Sequence, residues 1–166
     1  MAEIGFRLAV RGDLAAVDAL LARSYPRLLK PDYPASVLVT ALPIISRAQP
    51  DLVMSGSYWV AVQGQALVGA GGWTRAAPAG SMPDERAGHV RHVMTDDRAV
   101  RRGIGRGLMA RVKAQAMAAG VTQLDCLATR TAVPFYTAMG FATLGPVEVP
   151  LRAGISFPAV RMTCAL

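Results

Sequence analysis

Aromatic rings, cysteines and long apolar runs are all scarce in this chain, and each shortage closes off a class of function. Phe, Trp and Tyr make up 6% of the residues and nowhere interleave with basic side chains, so there is little material for stacking single-stranded bases. Only two cysteines occur, Cys126 and Cys164, far apart and without CxxC spacing; buried free thiols are expected, not a disulfide or a metal site. No stretch approaches the roughly 18 uninterrupted apolar residues of a membrane span. The opening MAEIGFRLAVRGD has acid and glycine where a secretory signal has a basic and then an apolar segment, which predicts a cytoplasmic protein with no membrane partner. Internal repeats, heptads and low-complexity tracts are also missing.

What is present is apolar bulk and positive charge. With 166 residues, 52% of them hydrophobic, the chain can bury one core and is too short for two ordinary domains, so residues 1–166 are expected to form a single domain. The formal charge is +7, which suits nucleic acid, an anionic cofactor or an acidic substrate. Arg98, Arg101, Arg102, Arg106, Arg111 and Lys113 crowd together while the remaining cations are dispersed. That distribution predicts one focused anion site and no nucleic-acid stripe.

Periodicity and punctuation give the order of elements. Residues 4–8 read as a strand. Asp13 is placed to cap a helix carrying Leu14, Val17, Leu20 and Leu21, which should end before Pro26. A second helix is expected over 35–45, bent or ended by Pro43. Residues 58–62 and 66–73 flank Gln63-Gly64-Gln65 as a hairpin. The Ala/Pro/Gly-rich stretch 76–83 reads as an exposed loop. A strand over 89–95 leads through VRRGIGRGLM into an amphipathic helix stopped by Gly120. Strand 124–128, a short helix over 133–139 and two strands joined at Arg152-Ala153-Gly154 complete the chain. The sum is an α/β domain with both parallel and antiparallel pairing.

A strand that turns through glycines into a helix aims free backbone N–H groups at one point, where the helix dipole also favours an anion. Glycine lets a phosphate approach the backbone and tolerates positive φ. A nucleotide-hydrolase loop is excluded because no Lys followed by a hydroxyl residue comes after the glycines. A dinucleotide loop is disfavoured by the GxGxG spacing of Gly103, Gly105 and Gly107, although Asp125 lies near the acidic position.

VRHVMTDDRAVRRGIGRGLM (90–109) and TAVPFYTAMGF (131–141) resemble the acetyl-CoA loop and the later AxxFYxxxGF segment of the GCN5-related N-acetyltransferase (GNAT) superfamily. The resemblance implies a GNAT fold, a central mixed and mostly antiparallel sheet with helices on both faces. It implies transfer of the acetyl group of acetyl-CoA to a primary amine, of a small molecule or a peptide, with no metal and no covalent enzyme intermediate. The alternative on the same fold is a non-catalytic acyl-CoA-binding sensor or interaction module. A homodimer formed through paired sheets is compatible with either.

The resemblance also distributes roles. The amides from Val100, Arg101, Arg102, Gly103, Ile104, Gly105 and Arg106 to Gly107 would cradle the pyrophosphate, with Val100 standing where the family usually has Gln or Arg. Backbone groups near Met94 and Thr95 would pair with the pantetheine arm, and Phe135 would lie against the cofactor. Thr129 occupies a position where Asn is common. Tyr136 would return a proton to the departing thiolate. His89 is a general-base candidate, with Glu85, Glu148 or water as alternatives, whereas His92 should face the other way by strand alternation and simply pack. Tyr25, Tyr33 and Glu148 are expected to form the acceptor site.

Overall fold

In the computed structural model, which describes residues 2–76 and 84–166, seven strands form one sheet in the order β1-β2-β3-β4-β5-β7-β6. In chain order these are β1 (Ile4–Leu8), β2 (Tyr58–Gln63), β3 (Ala66–Thr74), β4 (Ala87–Thr95), β5 (Gln123–Ala128), β6 (Ala142–Arg152) and β7 (Ile155–Ala165). Every neighbouring pair is antiparallel except β4 and β5. The helices are α1 (Leu14–Leu29), α2 (Ala35–Ile45), α3 (Pro50–Val53), α4 (Ile104–Ala118) and α5 (Val133–Ala138). The expected loop after β3 falls largely on residues 77–83, outside the described residues.

Two apolar layers hold the helices to opposite faces. Val17, Leu20, Leu21 and Leu29 of α1 pack with Tyr58, Val60 and Met94 of the sheet. Met109, Val112 and Ala116 of α4 pack with Trp73, Val90 and Leu124 on the other face. Each fully buried Leu or Val contributes on the order of 1.5–3 kcal/mol. One polar device fastens α4: the Gln115 Oε1 accepts from the indole N–H groups of Trp59 (3.1 Å) and Trp73 (3.0 Å), and its amide donates to the Gly56 carbonyl (2.9 Å).

Three local readings are corrected. Helix α1 does not end before Pro26 but runs through it to Leu29, because burial of Tyr25 and Leu29 outweighs the lost backbone bond. Asp13 does not cap α1 with its side chain. Its carboxylate instead receives Arg7 (2.8 and 2.9 Å) and the Val10 N–H (2.8 Å), and Arg7 holds it below the usual carboxylate range. Helix α3, a single turn opened by Pro50, was not anticipated.

Strand β4 departs from regular pairing on both of its sides. Against β3, Thr74 pairs with His89 and Gly72 with Arg91, but Ala70 pairs with Met94. One extra residue therefore sits in β4 at His92 and Val93, a bulge in which His92 adopts φ 47°. A Cβ on Gly71 would stand 2.8 Å from the Val93 side chain, so glycine there makes room for the bulge. The Tyr58 hydroxyl donates to the His92 carbonyl at 2.8 Å. Against β5, pairing covers only Ala87–Gln123, Gly88–Leu124 and His89–Asp125. Beyond His89 the two strands part.

Candidate active site

The parting strands, the bulge and the start of α4 enclose a cleft of about 650 Å³. It opens through the sheet: Tyr25 reaches it from α1 on one face, Phe135 and Tyr136 from α5 on the other. Between them run the β4 segment 92–95 and the β5 segment 126–128.

On the β4 side the main chain is free to bind. The Asp96 N–H donates to the Val68 carbonyl at 2.9 Å, which makes 96–68 and 94–70 the hydrogen-bonded pairs with β3. Thr95, opposite Gly69, therefore turns its N–H and C=O away from β3 and toward the cleft, while those of Met94 face β3. Asp96 fixes this end of the strand. Arg23 (2.5 Å) and Arg98 (3.1 Å) reach its Oδ2, and its pKa is held down to about 2, through Arg98 first.

The three glycines of the loop meet three different demands. Gly103 caps α4 with φ 79° and has open space where a Cβ would stand. Gly105 lies under Phe135, whose ring would be 2.8 Å from a Cβ. Gly107 lies under Phe6, so its role is packing. The first helical hydrogen bond runs from the Gly107 N–H to the Gly103 carbonyl (2.9 Å), so the amides of Ile104, Gly105 and Arg106 precede it and lack helical acceptors. Arg101, at φ 60°, adds a second left-handed residue to the turn.

The cluster of cations resolves into separate duties. Arg98 serves Asp96, Arg111 lies 4.1 Å over the Phe6 ring, Lys113 donates to the Met139 carbonyl, and Arg102 reaches Gln63 at 3.3 Å. Arg101 and Arg106 line the cleft. Of the expected cofactor residues, Met94, Thr95, Val100, Arg101, Gly103, Ile104, Gly105, Arg106, Thr129 and Phe135 line it; Arg102 and Gly107 do not. The Thr129 hydroxyl accepts from the Ala132 N–H at 3.2 Å and so caps the turn that leads into α5.

Tyr136 is buried against Cys126, and its phenol is pushed well above its ordinary pKa by burial first and then by Cys126, Tyr25 and Tyr58. The Cys126 thiol is pushed up to about 12, again chiefly by burial. Tyr25 is raised to about 12 in the same way. Both cysteines are free and buried.

The other expected site residues are not gathered here. His89 is buried at the paired end of β4, outside the cleft lining, and burial lowers its pKa. The bulge defeats the alternation argument, and His92 lines the cleft instead. Tyr33 is stacked on Phe157 at 4.7 Å; its hydroxyl donates to the Pro158 carbonyl and accepts from the Arg130 N–H, both at 2.8 Å. It is a structural bridge. Glu148 is exposed on β6 and accepts from Ser156 at 3.1 Å, while Val147, Val149 and Leu151 turn inward. Glu85 is exposed as well. Gln49, missed in the sequence, donates toward His92 at 3.1 Å.

Among the described residues no helix is long and apolar enough to cross a membrane, and no cluster of three His, Cys, Asp or Glu side chains could hold a metal ion.

Residues 30–166 match the family model of the acetyltransferase (GNAT) domain. Among solved structures, the chain is similar to a GCN5-related N-acetyltransferase from Rhodopseudomonas palustris (TM-score 0.77, 20% identity, 100% of this chain and 98% of that one). It is also similar to the PaiA N-acetyltransferase of Thermoplasma acidophilum in complex with coenzyme A (0.73, 11%, 99% of both). An N-acetylglutamate synthase from Neisseria gonorrhoeae, complexed with coenzyme A and N-acetyl-glutamate, matches over 100% of this chain and 36% of its own (0.64, 16%). No curated protein matches the sequence.

Proposed function

Because the chain belongs to the GNAT acetyltransferase family, we propose that its cleft between β4 and β5 receives acetyl-CoA and that residues 1–166 act as one catalytic domain. The acetyl group would pass directly to a primary amine, of a small molecule or a peptide, with both reactants bound together. The observation that carries the reading is the parting of β4 from β5 beyond His89 and Asp125, directly beside Tyr136. Acetyl-CoA supplies an activated acyl group and a thiol leaving group.

The residues present fit that ligand. The outward main chain of Thr95 offers one donor and one acceptor to an extended amide-bearing arm. The amides of 104–106 and the positive end of α4 suit a diphosphate, with Arg101 and Arg106 adding charge. Open space at Gly103 allows the approach.

Tyr136 holds a proton for the departing sulfur. Burial keeps the phenol neutral, and the same surroundings raise a thiol, as Cys126 reports. A leaving thiolate in that position is made more basic too, which lets it accept the proton that the phenol retains until the C–S bond breaks. The amine loses its own proton to water, since His89 lies outside the cleft.

Calorimetry with acetyl-CoA tests the site, and thiol release across a panel of primary amines tests the chemistry. Saturable binding, weakened in Gly103→Val, is expected. Absence of binding at millimolar acetyl-CoA would overturn the assignment.

A further inference from the structure

The chain carries 11 Asp and Glu residues, and among the described residues, which include all of them, none lines the cleft. Three adjoin it, and each is already engaged. Asp96, next to Thr95, is paired with Arg23 and Arg98. Asp125, next to Cys126, accepts from Gln123 (2.7 Å) and Thr163 (2.8 Å). Asp32 accepts from the Thr131 hydroxyl at 2.7 Å, and it acts on the Tyr33 phenol with a sign opposite to that of the neighbouring Arg130. The formal charges of the cleft itself are Arg101 and Arg106, which suit the diphosphate of the cofactor. An ammonium group brought in here meets no counter-ion.

What the cleft offers an amine is Tyr25. This side chain reaches the cleft from α1, with Leu28 and Leu29 beside it, and is 8% exposed. Its hydroxyl has no hydrogen-bond partner among the described residues. It is also not among the four unpartnered polar atoms that are closed to solvent, so the access it keeps is to the cleft. Tyr25 and Tyr136 approach from opposite faces of the sheet, near enough for the two phenols and the Cys126 thiol to act on one another's ionisation. The Tyr58 phenol, the remaining titratable group of this cluster, already donates to the His92 carbonyl. Burial raises Tyr25 to about 12, so it stays neutral and can neither balance an ammonium nor take its proton.

Taking a cation out of water is costly unless a paired, hydrogen-bonded partner replaces the solvent. A lysine-like amine, with a pKa of about 10.4, is uncharged in only about one molecule in 2,500 at pH 7. We infer that the acceptor is a weakly basic amine with an apolar body, such as an aromatic amine, which enters from the α1 side uncharged and donates an N–H to the Tyr25 hydroxyl oxygen. The inference rests on the cofactor reading above and narrows its acceptor. Held in this way, the nitrogen keeps its lone pair for the thioester carbonyl. The N–C bond forms and the C–S bond breaks; the nitrogen gives one proton to water, and the thiolate takes the proton of Tyr136, which is replaced from solvent. The products are the amide and free coenzyme A.

The test compares aniline with cyclohexylamine, two ring amines of similar outline, one neutral and one cationic at pH 7. Thiol release is measured on the full chain with acetyl-CoA. Aniline is expected to be acetylated with a kcat/KM that is flat from pH 7 to 9. Cyclohexylamine should be a poor substrate at pH 7, its kcat/KM rising about tenfold per pH unit with its neutral fraction, and its cation should not inhibit acetylation of aniline. Tyr25→Phe should raise KM for aniline about tenfold, with kcat and the affinity for acetyl-CoA each within about twofold.

Efficient turnover of cyclohexylamine at pH 7 with a flat profile, inhibition of aniline turnover by its cation, or failure to acetylate aniline in a protein that binds acetyl-CoA would overturn the acceptor class and leave the cofactor reading intact. An unchanged KM for aniline in Tyr25→Phe would overturn the role of Tyr25. No calorimetric binding of acetyl-CoA overturns both readings.

Discussion

Removing one oxygen from the molecule, by Tyr136→Phe, separates the chemistry of the cleft from its shape. The ring contributes edge-on contacts to Phe135 (centroids 5.2 Å) and Phe141 (5.3 Å), which a phenylalanine retains. The hydroxyl faces the Cys126 thiol in an apolar setting, so its loss should change folding stability by less than about 1 kcal/mol. Catalysis should respond quite differently. A positioned general acid contributes roughly 10²- to 10⁴-fold, so kcat is expected to fall by that factor while the affinity for acetyl-CoA stays within about twofold. The sign of the pH dependence comes from the direction of the shift. Because burial raises the phenol's pKa, the proton-bearing form persists through the alkaline range, and Tyr136 adds no alkaline limb below its ordinary pKa of about 10. The assay is steady-state thiol release with an accepted amine from pH 6 to 10, with calorimetry for affinity. Full activity in Tyr136→Phe, or a native activity that falls away near pH 8 and flattens in the variant, would refute the reasoning.

Two further outcomes test the frame around the site. Gln115→Met should strand two indole N–H groups and the Gly56 carbonyl, costing about 2–4 kcal/mol, read as a lower urea midpoint; a change under about 0.5 kcal/mol would show that water replaces the amide. Asp96 has a depressed pKa, so its stabilisation is present above the unfolded value near 4 and is lost as pH falls toward 2. Asp96→Asn should therefore lower stability at pH 7 and flatten the acid unfolding profile over that window.

Much of the architecture was legible because it rests on local signals: a turn at 63–65 between the apolar runs 58–62 and 66–73, a glycine stop at 120, turn residues at 152–154. The failures have physical causes. Pro26 is a helix breaker only when nothing compensates, and buried Tyr25 and Leu29 compensate across tertiary contacts that no local window reports. The exchange of His89 for His92 at the cleft stems from a bulge, whose signature lies in the pairing of β4 with Gly71, not in β4 itself. Glu148 was recoverable from the chain: Val147, Val149 and Leu151 alternate around it, so the carboxylate had to face outward. Tyr33 was not, because its partners Pro158 and Arg130 are far away in sequence.

Most sheets confine their unpaired backbone to the two rims, where solvent satisfies it. Here β4 and β5 separate within the sheet, so a second pair of rims lies inside the protein. A ligand that bridges them acts as a temporary eighth strand, and its contribution to cohesion should equal its own binding free energy weighted by concentration. Slower amide exchange at Thr95 and along β5 upon saturation would register that stitching, in a molecule whose two halves are otherwise joined across this line by a few residues.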